Sequence, residues 1–88
     1  MGQRDALNRA LGTVLRRERT GLGLSQEELA ERAELHRTYI SQLERGLKSP
    51  SLARLADLAD ALCVPLAEFV AQVMAERTRL TASSERST

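Results

Sequence analysis

The chain has 88 residues and a formal net charge of +1, and 42% of its residues are hydrophobic while only 2% are aromatic. This length allows one small domain whose core is near the minimum size for a stable fold, so association of two copies would add buried surface. The low charge argues against a generic polycation, and neither a membrane-spanning apolar run nor the apolar core of a signal peptide is present. We therefore expect a cytoplasmic homodimer without a membrane partner.

The basic residues are unevenly distributed along the chain. Residues 1–50 contain nine of the 13 Lys and Arg and seven of the 12 Asp and Glu, so a small basic excess lies in the first half. A focused basic surface is typical of a nucleic-acid-binding protein. The many Ala, Leu, Glu and Arg residues and the scarcity of aromatic residues favour packed helices over strands, and we expect an all-α fold.

Apolar residues at helical spacing predict the first three helices. The first covers residues 5–19 and ends before Gly21. Two short helices, separated by a three-residue turn, are predicted within residues 25–46. Ser25 precedes Glu28 by three residues, which is the spacing of a capping box at a helix start. Small alanines between the two short helices allow them to cross closely.

Two further helices are predicted in the second half of the chain. Ser51 caps the fourth helix and Pro65 opens the fifth. Residues 1–80 are therefore expected to form one helical domain that ends in a dimerisation helix, and the polar segment 81–88 is predicted to be a disordered tail. The apolar stripe predicted for the fourth helix consists of Leu52, Leu55, Ala56, Ala59 and Leu62.

The fifth helix has a broad apolar face. Part of this face can cover the domain's own core, but its far half is predicted to lie past the edge of a small bundle. Because exposed apolar patches of this kind mark interfaces, we expect a dimer contact here, with ordinary core packing as the alternative. The residues expected in the dimer interface are Leu66, Phe69, Val70, Val73 and Met74.

Three segments carry a resemblance to a known family: GLSQEELAERA at 23–33, LHRTYISQLERG at 35–46 and PSLARLADLADAL at 50–62. Over about residues 9–74 the chain resembles the phage repressor and Cro type (XRE-like) of helix-turn-helix domain. The resemblance implies a compact five-helix bundle, the lambda repressor-like DNA-binding domain. The run RTYIS at 37–41 and the short length are similar to the controller proteins of restriction-modification systems, which are small dimeric activators and repressors.

In this family the third helix enters the major groove of DNA, and the resemblance implies base contacts from Arg37, Thr38 and Gln42. Arg and Gln can each form two parallel hydrogen bonds with a purine edge, and the Thr methyl can meet a thymine methyl. A glutamine at the start of the family's second helix contacts a phosphate, where the helix N-terminus also favours negative charge. For the tyrosine, covering the edge of the core is the alternative role. The residues expected to contact the DNA backbone are Gln26, Tyr39, Ser41, Arg45 and Lys48.

Arg19 and Glu44 match a pair that the family joins by a salt bridge between the first helix and the end of the third. In this chain the pair would orient the third helix. Two positions depart from the family pattern: Glu34 stands where the family usually has Gly in the turn, and Cys63 where it often has Gly between the last two helices. Both are candidates for a positive φ, which costs a non-glycine residue about 1 kcal/mol or more.

The leading hypothesis is a sequence-specific DNA-binding regulator of transcription that acts as a homodimer on a palindromic operator, with control of a restriction-modification operon as the favoured subtype. The alternative is an antitoxin-type protein that binds a toxin and regulates its own operon. An enzyme is least favoured, because the one His and the one Cys lie far apart and no glycine-rich phosphate loop is present. We expect no cofactor, metal or small-molecule ligand, and we interpret Cys63 as a small core residue rather than a redox switch.

Overall fold

The computed structural model describes the backbone of residues 2–86 and all of their side chains except those of Gln3 and residues 83–86. Within this range the predicted all-α fold is confirmed, with five helices and no strands. The helices are α1 (Gln3–Gly21), α2 (Gln26–Ala33), α3 (Arg37–Glu44), α4 (Leu52–Ala61) and α5 (Leu66–Arg86).

Serine caps start two of the helices as predicted. At α2 the Glu28 amide donates to Ser25 Oγ at 3.0 Å, and the Ser25 amide donates to Glu28 Oε1 at 2.9 Å, which completes a capping box. At α4 the Arg54 amide donates to Ser51 Oγ at 3.2 Å. Each cap satisfies a backbone donor that the helix itself leaves free, so these starts are fixed locally.

The two turns without glycine have the strained backbone that the sequence predicted. Glu34 closes α2 with φ 57°, and Cys63 follows α4 with φ 58°. The turn after α2 is closed by a hydrogen bond from the Leu35 amide to the Ala30 carbonyl at 2.8 Å. The interpretation of Cys63 as a core residue is wrong, because its thiol is exposed in this turn.

The core joins all five helices. α1 packs against both α5 and α3, while α2 packs against α3 and α4. Burying one large aliphatic or aromatic side chain contributes about 1.5–3 kcal/mol, so these contacts fix α3 on the body of the domain. The largest fully buried side chains are Val14, Leu15, Leu29, Ile40, Leu43, Leu58, Leu62 and Phe69.

The apolar stripe of α4 differs from the prediction at two positions. Leu52 was expected to be buried, but it is 73% exposed because it is the first residue of α4 and precedes the part that packs on the core. Leu58, which was not included in the predicted stripe, is fully buried. Helical spacing alone is compatible with either Leu52 or Leu58 on the buried face. The position of α4 in the bundle determines that Leu58 is the one that is buried.

α5 lies along α1 and buries more of its apolar face than predicted. Phe69 is 0% exposed and Val73 only 6% exposed, so both belong to the domain's own core. The expectation that the far half of α5, around Val73 and Met74, lies past the edge of the bundle is wrong for Val73. Of the other residues expected in the dimer face, Leu66 and Val70 are half-buried and Met74 is 37% exposed.

The segment predicted as a disordered tail begins as helix. α5 continues to Arg86, and residues 87–88 lie outside the described range. Thr81 Oγ1 donates to the Arg77 carbonyl at 3.1 Å, so its hydroxyl is satisfied within the helix. Among the described residues, no single helix is both long enough and apolar enough to cross a membrane. Only α4 and α5 taken together have that length and apolarity, and a bend of 105° separates them.

Candidate nucleic-acid interface

A close approach of two helices sets the position of α3. Gly12 lies in the middle of α1, directly against the C-terminal end of α3. A Cβ atom at this position would stand 2.6 Å from the carbonyl oxygens of both Leu43 and Glu44, which is closer than real Cβ contacts allow. Only glycine permits this spacing. The sequence analysis missed this residue, and an isolated Gly within a helical pattern was the available signal.

An ion pair reinforces the same contact, as the resemblance implied. Arg19 Nε donates to Glu44 Oε2 at 2.6 Å and Nη2 donates to Oε1 at 3.0 Å, which is a two-bond, planar arrangement. The third donor, Nη1, reaches the Leu24 carbonyl at 2.7 Å. The side chains of Arg19 and Glu44 are only 11% and 5% exposed, so water screens the pair little.

Hydrogen bonding to Glu44 raises the pKa of Arg19 above its ordinary value. The negative charge of Glu44 acts in the same direction, while burial opposes it. The ion pair therefore favours the charged form of Arg19, which donates the hydrogen bonds that anchor the end of α3.

Gln26, the first residue of α2, joins this network. Its Nε2 donates to Glu44 Oε1 at 3.1 Å, and the side chain is half-buried. An amide nitrogen carries two hydrogens, so one donor remains after this bond. The bond to Glu44 therefore holds the amide of Gln26 in one orientation at the N-terminus of α2.

The outer face of α3 is polar. Ile40 and Leu43 are both 0% exposed and face the core. Arg37 and Thr38 are exposed, and Gln42 is half-buried beside them. These three side chains are the ones that the sequence analysis expected at base edges. They share a helix whose opposite face is anchored by the core, Gly12 and the ion pair.

The residues expected at the DNA backbone surround this face. Arg45 and Lys48 are exposed, whereas Ser41 and Tyr39 are half-buried. Arg45 Nε donates to the Ser41 carbonyl at 3.4 Å, and the two terminal nitrogens of Arg45 take no part in this bond. The Tyr39 ring packs against the core, which is the alternative role considered for it.

Arg54, which the sequence analysis did not single out, lies on the Tyr39 ring. Its guanidinium carbon is 5.3 Å from the ring centroid, within the range of a cation–π contact. The two residues are 15 positions apart in the sequence. No sequence pattern pairs them, because the contact depends on how α4 returns past α3.

A groove on another part of the surface is entirely apolar. It measures about 200 Å³ and lies between α1, α4 and α5. Met74 at its edge is 37% exposed. The side chains that line it are Leu7, Leu11, Leu55, Val70, Val73 and Met74.

A buried carboxylate ties α5 to α1. Glu76 is 7% exposed; it accepts from Arg79 Nε at 2.9 Å and lies 3.6 Å from Arg17 Nη1. The pKa of Glu76 is lowered from its ordinary value, chiefly by the hydrogen bond from Arg79 and further by the charges of Arg79 and Arg17, while burial opposes the shift. Within the described residues no group of His, Cys, Asp and Glu is arranged to hold a metal ion.

Comparison with known proteins agrees with this geometry. The helix-turn-helix family profile matches residues 15–69, which include α2, the turn and α3. The chain belongs to this helix-turn-helix family, of the XRE type. Its members among curated proteins include an uncharacterized HTH-type transcriptional regulator, y4dJ, of Sinorhizobium fredii, which is 38% identical over 64 residues, 73% of this chain and 83% of that protein.

Restriction-modification controllers are also among the helix-turn-helix relatives. The control protein C.MunI of a Mycoplasma species is 37% identical over 62 residues, covering 70% of this chain and 81% of that protein. Other relatives are longer: the chain spans 38% of a matched regulator from Mycobacterium tuberculosis.

Solved structures share the fold. The clp gene regulator ClgR from Corynebacterium glutamicum superimposes with a TM-score of 0.86 at 32% identity, over 92% of this chain and 86% of that one. The restriction-modification controller C.Esp1396I, solved as a tetramer with its natural 35 base-pair operator, gives a TM-score of 0.75 at 29% identity, over 82% of this chain and 95% of that one. These relatives are regulators rather than enzymes, and the chain is a DNA-binding helix-turn-helix regulator of transcription.

Proposed function

We propose that the chain acts as a homodimer that reads a palindromic operator, with one α3 in the major groove of each half-site. The observation that carries this proposal is the outer face of α3, where Arg37, Thr38 and Gln42 stand on a helix held by a buried ion pair. Arg37 suits guanine and Gln42 suits adenine, and each matched pair discriminates by about 1–3 kcal/mol. Because twofold symmetry of the protein requires a symmetric site, the half-sites should lie about one helical turn apart.

The phosphate contacts expected from Gln26, Tyr39, Ser41, Arg45 and Lys48 fix the position of the dimer without reading the sequence. They also make binding depend on salt. With six or more such contacts, the affinity should fall by about 10³ or more between 50 and 200 mM salt. We propose that the protein works in the cytoplasm.

The second copy is the proposed occupant of the apolar groove. A groove lined only by aliphatic and methionine side chains has no polar group to specify a small ligand, and a small domain benefits from extra buried surface. Val70, Val73 and Met74 are the residues of α5 that line this proposed contact surface. Leu66 is half-buried and Phe69 is fully buried, and neither lines the groove. The assembly of C.Esp1396I as a tetramer on its operator supports association of copies on DNA.

Within this function we propose control of a restriction-modification operon. The likeness to C.MunI and C.Esp1396I supports this subtype, because both are controllers of such systems. A neighbouring gene for a methyltransferase or an endonuclease would support it, and a neighbouring gene for a small toxin would contradict it.

The central experiment is selection of bound duplexes from a random pool. We expect a palindromic consensus whose half-sites are one turn apart, and Arg37→Ala should relax the preference at one base pair of each half-site. A consensus without symmetry, or selection that survives alanine at Arg37, Thr38 and Gln42 together, would contradict the proposal.

The dimer has its own test. Met74→Glu places a charge at the edge of the groove, and we expect it to weaken self-association at least tenfold in sedimentation equilibrium, since an unpaired charge would be buried on contact. Leu22→Glu is the matched control, because Leu22 is 49% exposed at the end of α1 and does not line the groove. A parent chain that remains monomeric while it saturates a palindromic duplex would refute this surface.

A further inference from the structure

The contact between Arg54 and Tyr39 uses only one side of the guanidinium group. A guanidinium binds an aromatic ring through its flat face, while its N–H donors point outward along its edge. The Arg54 side chain is exposed, and among the described residues its guanidinium forms no salt bridge or side-chain hydrogen bond. Its edge donors are therefore available to a ligand while Tyr39 holds the face.

The position of this pair connects it with the reading helix. Tyr39 and Arg54 line an open cleft of about 400 Å³ together with Glu34, Leu35 and His36, the residues of the turn that leads into α3. The bases of the proposed operator would meet the first turn of the same helix, at Arg37 and Thr38. Arg54 thus extends the basic surface from α3 onto the first turn of α4.

We propose that Arg54 contacts a phosphate of the DNA backbone on the flank of the half-site that α3 reads, with Tyr39 positioning its guanidinium. This inference rests on the proposed function. Phosphate is the chemical partner that fits, because the donor edge of a guanidinium can bind two of its oxygens at once. Because the tyrosine ring already restricts the Arg54 side chain, less rotamer freedom is lost when the phosphate binds.

The competing interpretation is that Arg54 only covers the Tyr39 ring. Salt dependence separates the two, since each phosphate contact contributes about 0.9 to the slope of log affinity against log salt. Because a dimer loses one such contact in each half-site, we expect the slope to fall by about 1.8 for Arg54→Ala, so that the affinity loss is roughly twelvefold larger at 50 than at 200 mM salt. The loss of affinity should be equal for the selected duplex and for a duplex of unrelated sequence.

The matched control is Arg32→Ala. It removes the same charge from an exposed arginine, but Arg32 lines a different cleft together with Asp57 and Asp60, whose carboxylates repel phosphate. We expect Arg32→Ala to leave the slope unchanged. A far-UV circular dichroism spectrum equal to that of the parent shows that each variant is folded.

The result that overturns the inference is an unchanged slope for Arg54→Ala in a parent that binds its duplex selectively. A parent without selective binding would instead refute the proposed function, so the two failures are distinguishable.

Discussion

Two regions of this domain are built by different means. The reading end, made of α2, α3 and their contact with α1 around Gly12 and Arg19, is held by directional hydrogen bonds and by contact between backbones. The groove end, where α1, α4 and α5 surround the apolar groove, is held by aliphatic packing and one buried carboxylate. Directional contacts fix the angle of a helix, whereas apolar packing tolerates changes of similar volume. The surface that we propose to match base edges therefore depends on directional contacts.

The largest effect is expected from breaking the anchor of the reading end. Glu44→Ala leaves Arg19 as a buried charge without its carboxylate, which costs about 3–5 kcal/mol. We expect the melting temperature of Glu44→Ala to lie below that of the parent. At temperatures where the variant is still folded, its selectivity for the operator should be unchanged. Glu31→Ala, on the exposed face of α2, is the control and should melt like the parent. An unchanged melting curve for Glu44→Ala would show that the ion pair does not hold α3.

A smaller effect is expected from forcing the two helices apart. Gly12→Ala inserts a methyl group against two carbonyl groups, and overpacking of this kind costs about 1–3 kcal/mol. Because the obstacle is backbone, α3 must shift as a whole, so operator affinity should fall together with stability.

Gly21→Ala is the control for Gly12→Ala and is expected to change the stability of the domain in the opposite direction. Gly21 is also in α1, and a Cβ atom there would meet nothing within 4 Å. This change should stabilise the domain by about 0.5–1 kcal/mol through the reduced freedom of the unfolded chain. If both substitutions stabilise the domain, the close approach of α1 to α3 does not require glycine at position 12.

The smallest effect is expected at the groove end. The lowered pKa of Glu76 means that its stabilising contribution is present above the ordinary glutamate pKa of about 4.3 and is lost as the pH falls through the lower folded value. Arg17 and Arg79 are 53% and 65% exposed, so the contribution is screened and should be about 1 kcal/mol or less.

Glu76→Gln tests this contribution. At pH 7 the variant should melt a few degrees below the parent, and the difference should vanish as the pH is lowered below about 4. Glu68→Gln, at an exposed position of α5, should show no such pH-dependent difference. A difference that persists at low pH would mean that Glu76 acts through packing rather than through its charge.

Local signals made the reading end predictable. The capping box of Ser25 and Glu28 and the small side chains of α2 lie within a few residues of each other, so the sequence contains the whole interaction. The pair of Arg19 and Glu44 was inferred through the family resemblance, since it joins positions 25 residues apart. The groove end was less predictable: helical spacing identified the apolar face of α5, but Phe69 and Val73 were assigned to a dimer contact although they lie in the core.

The sequence by itself determined the five helices, their caps and the polar face of α3, because hydrogen bonds between near neighbours and the helical repeat act over a few residues. Only the tertiary structure decided that Gly12 must be glycine, that Phe69 and Val73 are buried, and that Arg54 lies on Tyr39. Each of these depends on the distance and angle between helices, which many side chains set together and no short segment encodes.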